Sequence, residues 1–171
     1  MDALAEAALP FVAWSRVWSP LSPEAWREEA WRALALPGRF ADSESAFLSA
    51  FMVGLPAPDV PLLLHAALGR EGGAVREDWM RVIAHLELSW NERVLPPDHL
   101  AAACDVLACA IERDEDILIR ELCKRYLEPW CKLACDRLAG KDERVACLPE
   151  ALRRDLALIQ TTESGILRAE S

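Results

Sequence analysis

The segment Val75-Arg76-Glu77-Asp78-Trp79-Met80-Arg81-Val82-Ile83-Ala84-His85-Leu86 decides the fold class. Val75, Trp79, Val82, Ile83 and Leu86 recur at steps of three and four, which places them on one face of a helix. Trp90 extends that buried side, and Gly72-Gly73 marks the turn before it.

The same period governs the rest of the chain. Upstream, Leu4, Ala7, Phe11, Trp14 and Trp18 form one helical stripe. Pro10 falls inside it and predicts a kink or a late start. Ser19-Pro20 ends that helix. Ser22 reads as an N-cap with Pro23 at the first helical position, and Trp26, Ala30 and Leu34 face inward until Pro37-Gly38. Asp42 or Ser43 is expected to cap a third helix with Phe47, Phe51 and Leu55 as its stripe. Pro56, Pro58 and Pro61 stiffen the connector that follows. A short apolar helix spans Pro61 to Leu68 and ends at Gly69.

Beyond Leu86, Ser89 to Pro97 reads as a loop. A helix begins near Asp98 and presents Leu100, Ala103, Leu107 and Ile111. Glu112 to Asp116 is an acidic break. A long helical stretch then buries Leu118, Leu122, Trp130, Leu133 and Leu138, and Pro129 should kink it because it removes a backbone donor. Gly140 fits a C-terminal cap. A last helix from about Pro149 uses Leu152, Leu156 and Ile159, and the polar tail from Thr161 is expected to fray. No segment alternates as a strand does, and no repeat has a fixed period. The expectation is an all-α bundle of about seven to nine helices, one domain over residues 1–171.

Composition agrees. The 171 residues suffice for one hydrophobic core, and 53% are apolar. Alanine, leucine, glutamate and arginine are plentiful, and these lose little side-chain freedom in a helix. The formal charge of −9, from 19 basic and 28 acidic residues, repels phosphate backbones and so disfavours nucleic acid as a partner. The same charge attracts a basic partner, or serves only solubility. Met1-Asp2-Ala3-Leu4-Ala5-Glu6 lacks the basic start of a secretory signal, and no apolar run reaches bilayer-spanning length. A cytoplasmic protein without membrane insertion is expected.

The six cysteines, Cys104, Cys109, Cys123, Cys131, Cys135 and Cys147, include no Cys-x-x-Cys pair. They read as reduced thiols acting as small hydrophobes, with a zinc site at Cys131 and Cys135 as the alternative. Enzyme signatures are missing: no Glu-x-x-His pair for a di-metal bundle, no His-Glu-x-x-His, no phosphate loop at Gly69 to Gly73, no Gly-x-Ser-x-Gly elbow. A binding protein rather than an enzyme is expected, with no cofactor. His65 and His85 sit among apolar residues and read as core or cleft histidines, with haem ligation as the alternative.

Leu95-Pro96-Pro97-Asp98-His99-Leu100 stands apart. Two prolines stiffen a loop where a helix starts, so the groups displayed there are preorganised. Asp98 can cap the helix, with His99 as a first-turn residue presenting one edge; alternatively the loop is a recognition site. Glu112, Asp114, Glu115 and Asp116 form either a solvated turn or an attraction for an arginine-bearing peptide.

Three stretches resemble the TorD-like family of redox-enzyme maturation chaperones. They are Pro61-Leu62-Leu63-Leu64-His65-Ala66-Ala67-Leu68-Gly69, Leu95-Pro96-Pro97-Asp98-His99-Leu100, and Leu122-Cys123-Lys124-Arg125-Tyr126-Leu127-Glu128-Pro129-Trp130. In the third, Leu122 stands where the family has Phe, and Tyr126 where it has His. The resemblance covers roughly residues 45–140. It implies an all-helical chaperone that binds the N-terminal twin-arginine leader of a molybdenum oxidoreductase catalytic subunit, delays its export and assists molybdopterin insertion. Val60 to His99 is most similar to chaperones of the type II branch of the dimethyl sulfoxide reductase family. By resemblance, Asp98 and His99 belong to the leader site, with Pro97 setting their position. His65, Glu112, Asp114 and Glu115 are candidate groove or acidic contributors. Either a monomer or a helix-exchanged dimer fits the resemblance.

Overall fold

The computed structural model describes residues 3–91 and 93–169, with side chains through Gln160. Its described residues form α-helices joined by short loops, with no strand and a single isolated antiparallel bridge between Leu63 and His99. The helices are α1 (Ala3–Trp18), α2 (Glu24–Ala33), α3 (Phe40–Phe51), α4 (Leu64–Leu68), α5 (Gly72–His85), α6 (Leu100–Glu112), α7 (Asp116–Leu122), α8 (Glu128–Leu138), α9 (Glu143–Ala146) and α10 (Leu148–Ala169). A π-helical turn, Cys123–Leu127, joins α7 to α8. The backbone from Thr161 continues α10, while the side chains of that polar tail lie outside the described residues. None of the described helices is long and apolar enough to cross a membrane.

The centre of the bundle is α6. Its sequence, Leu-Ala-Ala-Ala-Cys-Asp-Val-Leu-Ala-Cys-Ala-Ile-Glu, is apolar on nearly every side, and ten of its residues are buried. A helix that is apolar all round has no face to give to water, so others must surround it. α1 packs along it, and the alanines let the two backbones approach closely. α10 reaches the same layer, where Trp14 Nε1 donates to Asp155 Oδ2 at 2.6 Å.

One aromatic cluster joins the N-terminal helices to α8. The Trp18 ring stacks on Trp14 at 5.5 Å and meets Phe51 and Trp130 edge-on at 5.1 and 5.4 Å. Such pairs add to the free energy of burying the rings. Arg27 is buried over Phe40 and Phe47, its guanidinium carbon 5.4 and 5.8 Å from the ring centres, and Nη2 donates to the Ser19 carbonyl.

Several local expectations are corrected. α1 runs unbroken through Pro10 from Ala3, with no late start. The N-cap of α2 is Pro23, not Ser22, and that of α3 is Arg39, not Asp42 or Ser43. Asp42 instead pairs with Arg39, and Ser43 is buried with its hydroxyl on the Arg39 carbonyl. Trp26 and Leu55 are exposed, because α2 buries Arg27, Ala30 and Trp31 and the chain leaves α3 before Leu55. The first turn of the Pro61 helix is extended chain, which frees it to form the bridge to His99.

Pro129 disturbs its helix as expected, and the form of the disturbance is the π turn. In a regular α-helix its ring would collide with the carbonyl of residue 125. Here Glu128 N–H donates to the Cys123 carbonyl five residues back, widening the turn ahead of the proline.

Candidate functional site

The extended chain at Leu62 to Leu64 lies against the start of α6. Leu64 N–H donates to the Asp98 carbonyl at 2.9 Å, and Leu100 N–H donates to the Leu62 carbonyl at 2.8 Å. Pro61 is held from behind, since Trp130 Nε1 donates to its carbonyl at 3.0 Å. Arg70, just past α4, lies over the Tyr126 ring at 5.1 Å. Pro61 to Gly69, Leu95 to Leu100 and Leu122 to Trp130 therefore meet at one place, although they are far apart in the sequence.

Asp98 lies where the first two of these stretches touch. It is fully buried. Its Oδ2 accepts from the His65 backbone N–H at 3.2 Å and lies 2.5 Å from His65 Nδ1. None of the described residues donates a hydrogen bond to its Oδ1. The nearest cation to that oxygen is Arg76, on the first turns of α5, with Nε at 3.5 Å. A buried carboxylate oxygen without a protein donor is costly, so a donor brought to it is bound favourably.

The other members of the site set its edges. The His65 side chain keeps about a fifth of its surface exposed and that of Arg76 nearly half, at 19% and 45%. The ring of His65 lies over Gly72, where a Cβ would come within 3.1 Å of Cδ2 and 3.2 Å of Nε2. Glu71 caps α5, accepting from Gly73 N–H at 2.8 Å and Ala74 N–H at 2.6 Å. Those two bonds, with the nearby charges of Arg76 and His65, hold its carboxyl below the usual range.

His99 takes the capping role expected of Asp98. It is the N-cap of α6, and its Nδ1 accepts from Ala101 N–H at 3.1 Å. It is buried, at 8% exposure, rather than presenting an edge to solvent. Burial lowers its pKa to about 4 against the pull of Asp98, so the ring is neutral near pH 7 with Nε2 protonated. Pro97 is buried beside it.

The acidic cluster is at the opposite end of α6. Thirteen residues of helix separate His99 from it, which is about 20 Å. There Glu115 pairs with His85 at 3.1 Å, Asp114 takes a left-handed backbone conformation with φ of 57°, and Glu112 is exposed. Glu112, Asp114 and Glu115 thus form a solvated turn, not a wall of the Asp98 site. The carboxylate on this side of the protein is Glu71, within reach of the charges of Arg76 and His65.

Sequence reasoning did not single out Arg76, Glu71 or Gly72. Of these only Gly72 left a trace, as a glycine pair next to a histidine-bearing apolar segment. No two of the six cysteines are joined by a disulfide; three are buried and three partly so. No group of three or more His, Cys, Asp and Glu among the described residues is arranged to hold a metal ion. A cleft of about 870 Å³ between α8 and α10 lies away from Asp98, and its Glu150 and Glu128 already pair with Arg153 and Gln160.

No protein-family model, curated protein or solved structure matches the chain.

Proposed function

We propose that this protein is a cytoplasmic chaperone of the TorD-like type, which binds the twin-arginine leader of a molybdoenzyme catalytic subunit, delays its export and assists molybdopterin insertion. The observation that carries this reading is the buried Asp98 carboxylate with one oxygen satisfied by His65 and the other lacking a donor. A guanidinium is the donor best matched to a carboxylate, because its planar N–H fork makes short charge-assisted bonds. One leader arginine takes Asp98 Oδ1 and the second takes Glu71 at the exposed start of α5. The net charge of −9 steers such a basic segment toward the surface.

His65 acts differently from His99 in this mechanism. His65 reaches the surface, where part of its ring can meet a peptide, with Nδ1 held by Asp98. His99 stays inside, capping α6 and fixing the backbone that carries Asp98. pH tuning of peptide affinity, if located on His99, requires acid well below neutrality. Release follows from competition by the export machinery or from folding of the client around its cofactor.

The test is calorimetry with a synthetic twin-arginine leader peptide and its Lys-Lys counterpart. The arginine peptide is expected to bind, the lysine peptide to bind at least about tenfold more weakly, and Asp98→Asn to abolish the difference. Equal binding by wild type and a folded Asp98→Asn protein removes Asp98 from the site. No binding of any leader removes the function.

A second reading is favoured by one feature. A carboxylate on Nδ1 is how a metal-ligating imidazole is oriented through Nε2. Stoichiometric metal or haem in the purified protein, by elemental analysis and visible absorption, selects that reading over the chaperone. An adaptor without leader specificity is distinguished by affinity capture, in which the chaperone is expected to retrieve a molybdoenzyme catalytic subunit.

A further inference from the structure

The two oxygens of Asp98 are treated unequally by the fold. Oδ2 receives both the backbone N–H and the ring nitrogen of His65. Oδ1 is equally buried and receives neither. Among the described residues the cation paired with it is Arg76, which comes from the surface, with Nε at 3.5 Å and the side chain 45% exposed. That distance gives charge attraction without a hydrogen bond. The contact is also not explained by helix stability, since the N-terminal end of α5 is the end that disfavours a cation.

We propose that Arg76 is a built-in competitor: its guanidinium occupies the entrance to Asp98 Oδ1 and is displaced when the guanidinium of a bound peptide takes that oxygen. This rests on the leader-binding reading for the identity of the peptide, though not for the site itself. The occupant that the protein supplies names the ligand chemistry, a planar cation with N–H donors. Because Arg76 attracts without hydrogen-bonding, an arriving guanidinium that makes a linear bond to Oδ1 wins the exchange. An ammonium or a hydrated metal ion gains less, since Arg76 already neutralises the carboxylate. Arg76 thereby lowers affinity for every cation and sharpens preference for arginine.

The exchange also has a place to go. Arg76 stands on the exposed side of α5 with 45% of its side chain exposed, so the displaced guanidinium can swing out into solvent, where its charge is well hydrated, and leave Glu71 to the second arginine of the peptide. Competition of this kind reduces apparent affinity by the fraction of molecules in which the entrance is occupied.

Two probes separate this proposal from the function it rests on. The first is guanidinium ion at millimolar, non-denaturing concentration, followed by the NMR resonances of the His65 ring. In Arg76→Ala the vacated entrance is expected to take the ion and shift the His65 signals saturably. In the Arg76→Ala, Asp98→Asn double variant the signals are expected not to respond. Absence of a saturable shift in a folded Arg76→Ala protein overturns the proposal. The second probe is the twin-arginine leader peptide. Arg76→Ala is expected to bind it on the order of tenfold more tightly than wild type, and Arg76→Lys between the two. Unchanged or weaker binding by Arg76→Ala overturns competition while leaving leader binding intact. A positive guanidinium result with no peptide binding by either protein keeps the guanidinium site and removes the leader function.

Discussion

His65 and Asp98 stand 33 positions apart in the chain, yet the ring nitrogen of one lies 2.5 Å from the carboxylate of the other. The pair ties the extended chain before α4 to the start of α6 at the point where both are also joined by backbone hydrogen bonds. Removing the carboxylate leaves the His65 N–H and ring without their acceptor. Asp98→Ala is therefore expected to cost about 3–5 kcal/mol, and Asp98→Asn about 1–2 kcal/mol because the amide oxygen still accepts. Urea denaturation of both variants measures this; a loss below that of a surface substitution for Asp98→Ala contradicts the structural role.

His99 gives the protein a specific acid response. Its folded pKa of about 4 lies below the ordinary value near 6.5, because burial disfavours the charged ring. Between those values the unfolded chain takes up a proton that the folded protein refuses, so stability falls as pH drops from about 6.5 toward 4. The loss attributable to His99 approaches about 3 kcal/mol. His99→Asn keeps a cap for α6 but cannot titrate, and its stability is expected to decline less over that interval. Parallel pH curves for the two proteins count against this assignment.

Trp130 supports the site from outside it. Its indole N–H on the Pro61 carbonyl fixes the strand-like stretch that pairs with His99. Trp130→Phe keeps most of the ring but orphans that carbonyl, at about 1–3 kcal/mol. Hydrogen exchange is the sharper readout: Leu64 and Leu100 amides should exchange faster, while the amides in the middle of α1 change only with global stability.

Gly72→Ala tests the fit of the His65 ring. Alanine is the better helix former, but its methyl would press on Cδ2 and Nε2 at 3.1 and 3.2 Å. The ring cannot retreat freely, since Nδ1 is held by Asp98. Global stability is expected to change by less than about 1 kcal/mol, with a clear displacement of the His65 ring resonances. Unshifted resonances would mean that the ring is not anchored.

The cysteines predict a labelling pattern. Burial raises the thiol pKa of Cys104 and Cys131, and Cys123 is buried with them. Alkylation of the native protein near pH 8 should be confined to Cys109, Cys135 and Cys147, and slow even there because burial raises those thiols too. Mass spectrometry after brief iodoacetamide treatment reads this directly.

The helices were legible because a buried stripe repeats every three to four residues, and Phe11, Trp14, Trp18, Trp79 and Ile83 all lie inside. Faces were less legible. Trp26 has the spacing of a core residue, but Arg27 and Trp31 turned the helix so that it faces out. The π turn before Pro129 could be anticipated as a disturbance, not as a wide turn. The site was half legible. Asp98 and His99 announce themselves through the prolines before them, but nothing local says which one caps the helix. The link from Asp98 to His65 and Arg76 is a long-range contact, and sequence periodicity carries no information about which distant side chains meet. For the same reason the acidic run at Glu112 could be imagined beside Asp98, when a full helix stands between them.

The bridge at Leu63 and His99, with Trp130 behind it, has a consequence for how the protein is made. A chain leaving the ribosome exposes Asp98 long before it exposes Trp130. Until some thirty further residues follow, the carboxylate lacks the backing that fixes its pocket. The pocket therefore matures only once Trp130 has been made, and a truncated product that keeps Asp98 but ends before Trp130 should carry the right residues without the right shape.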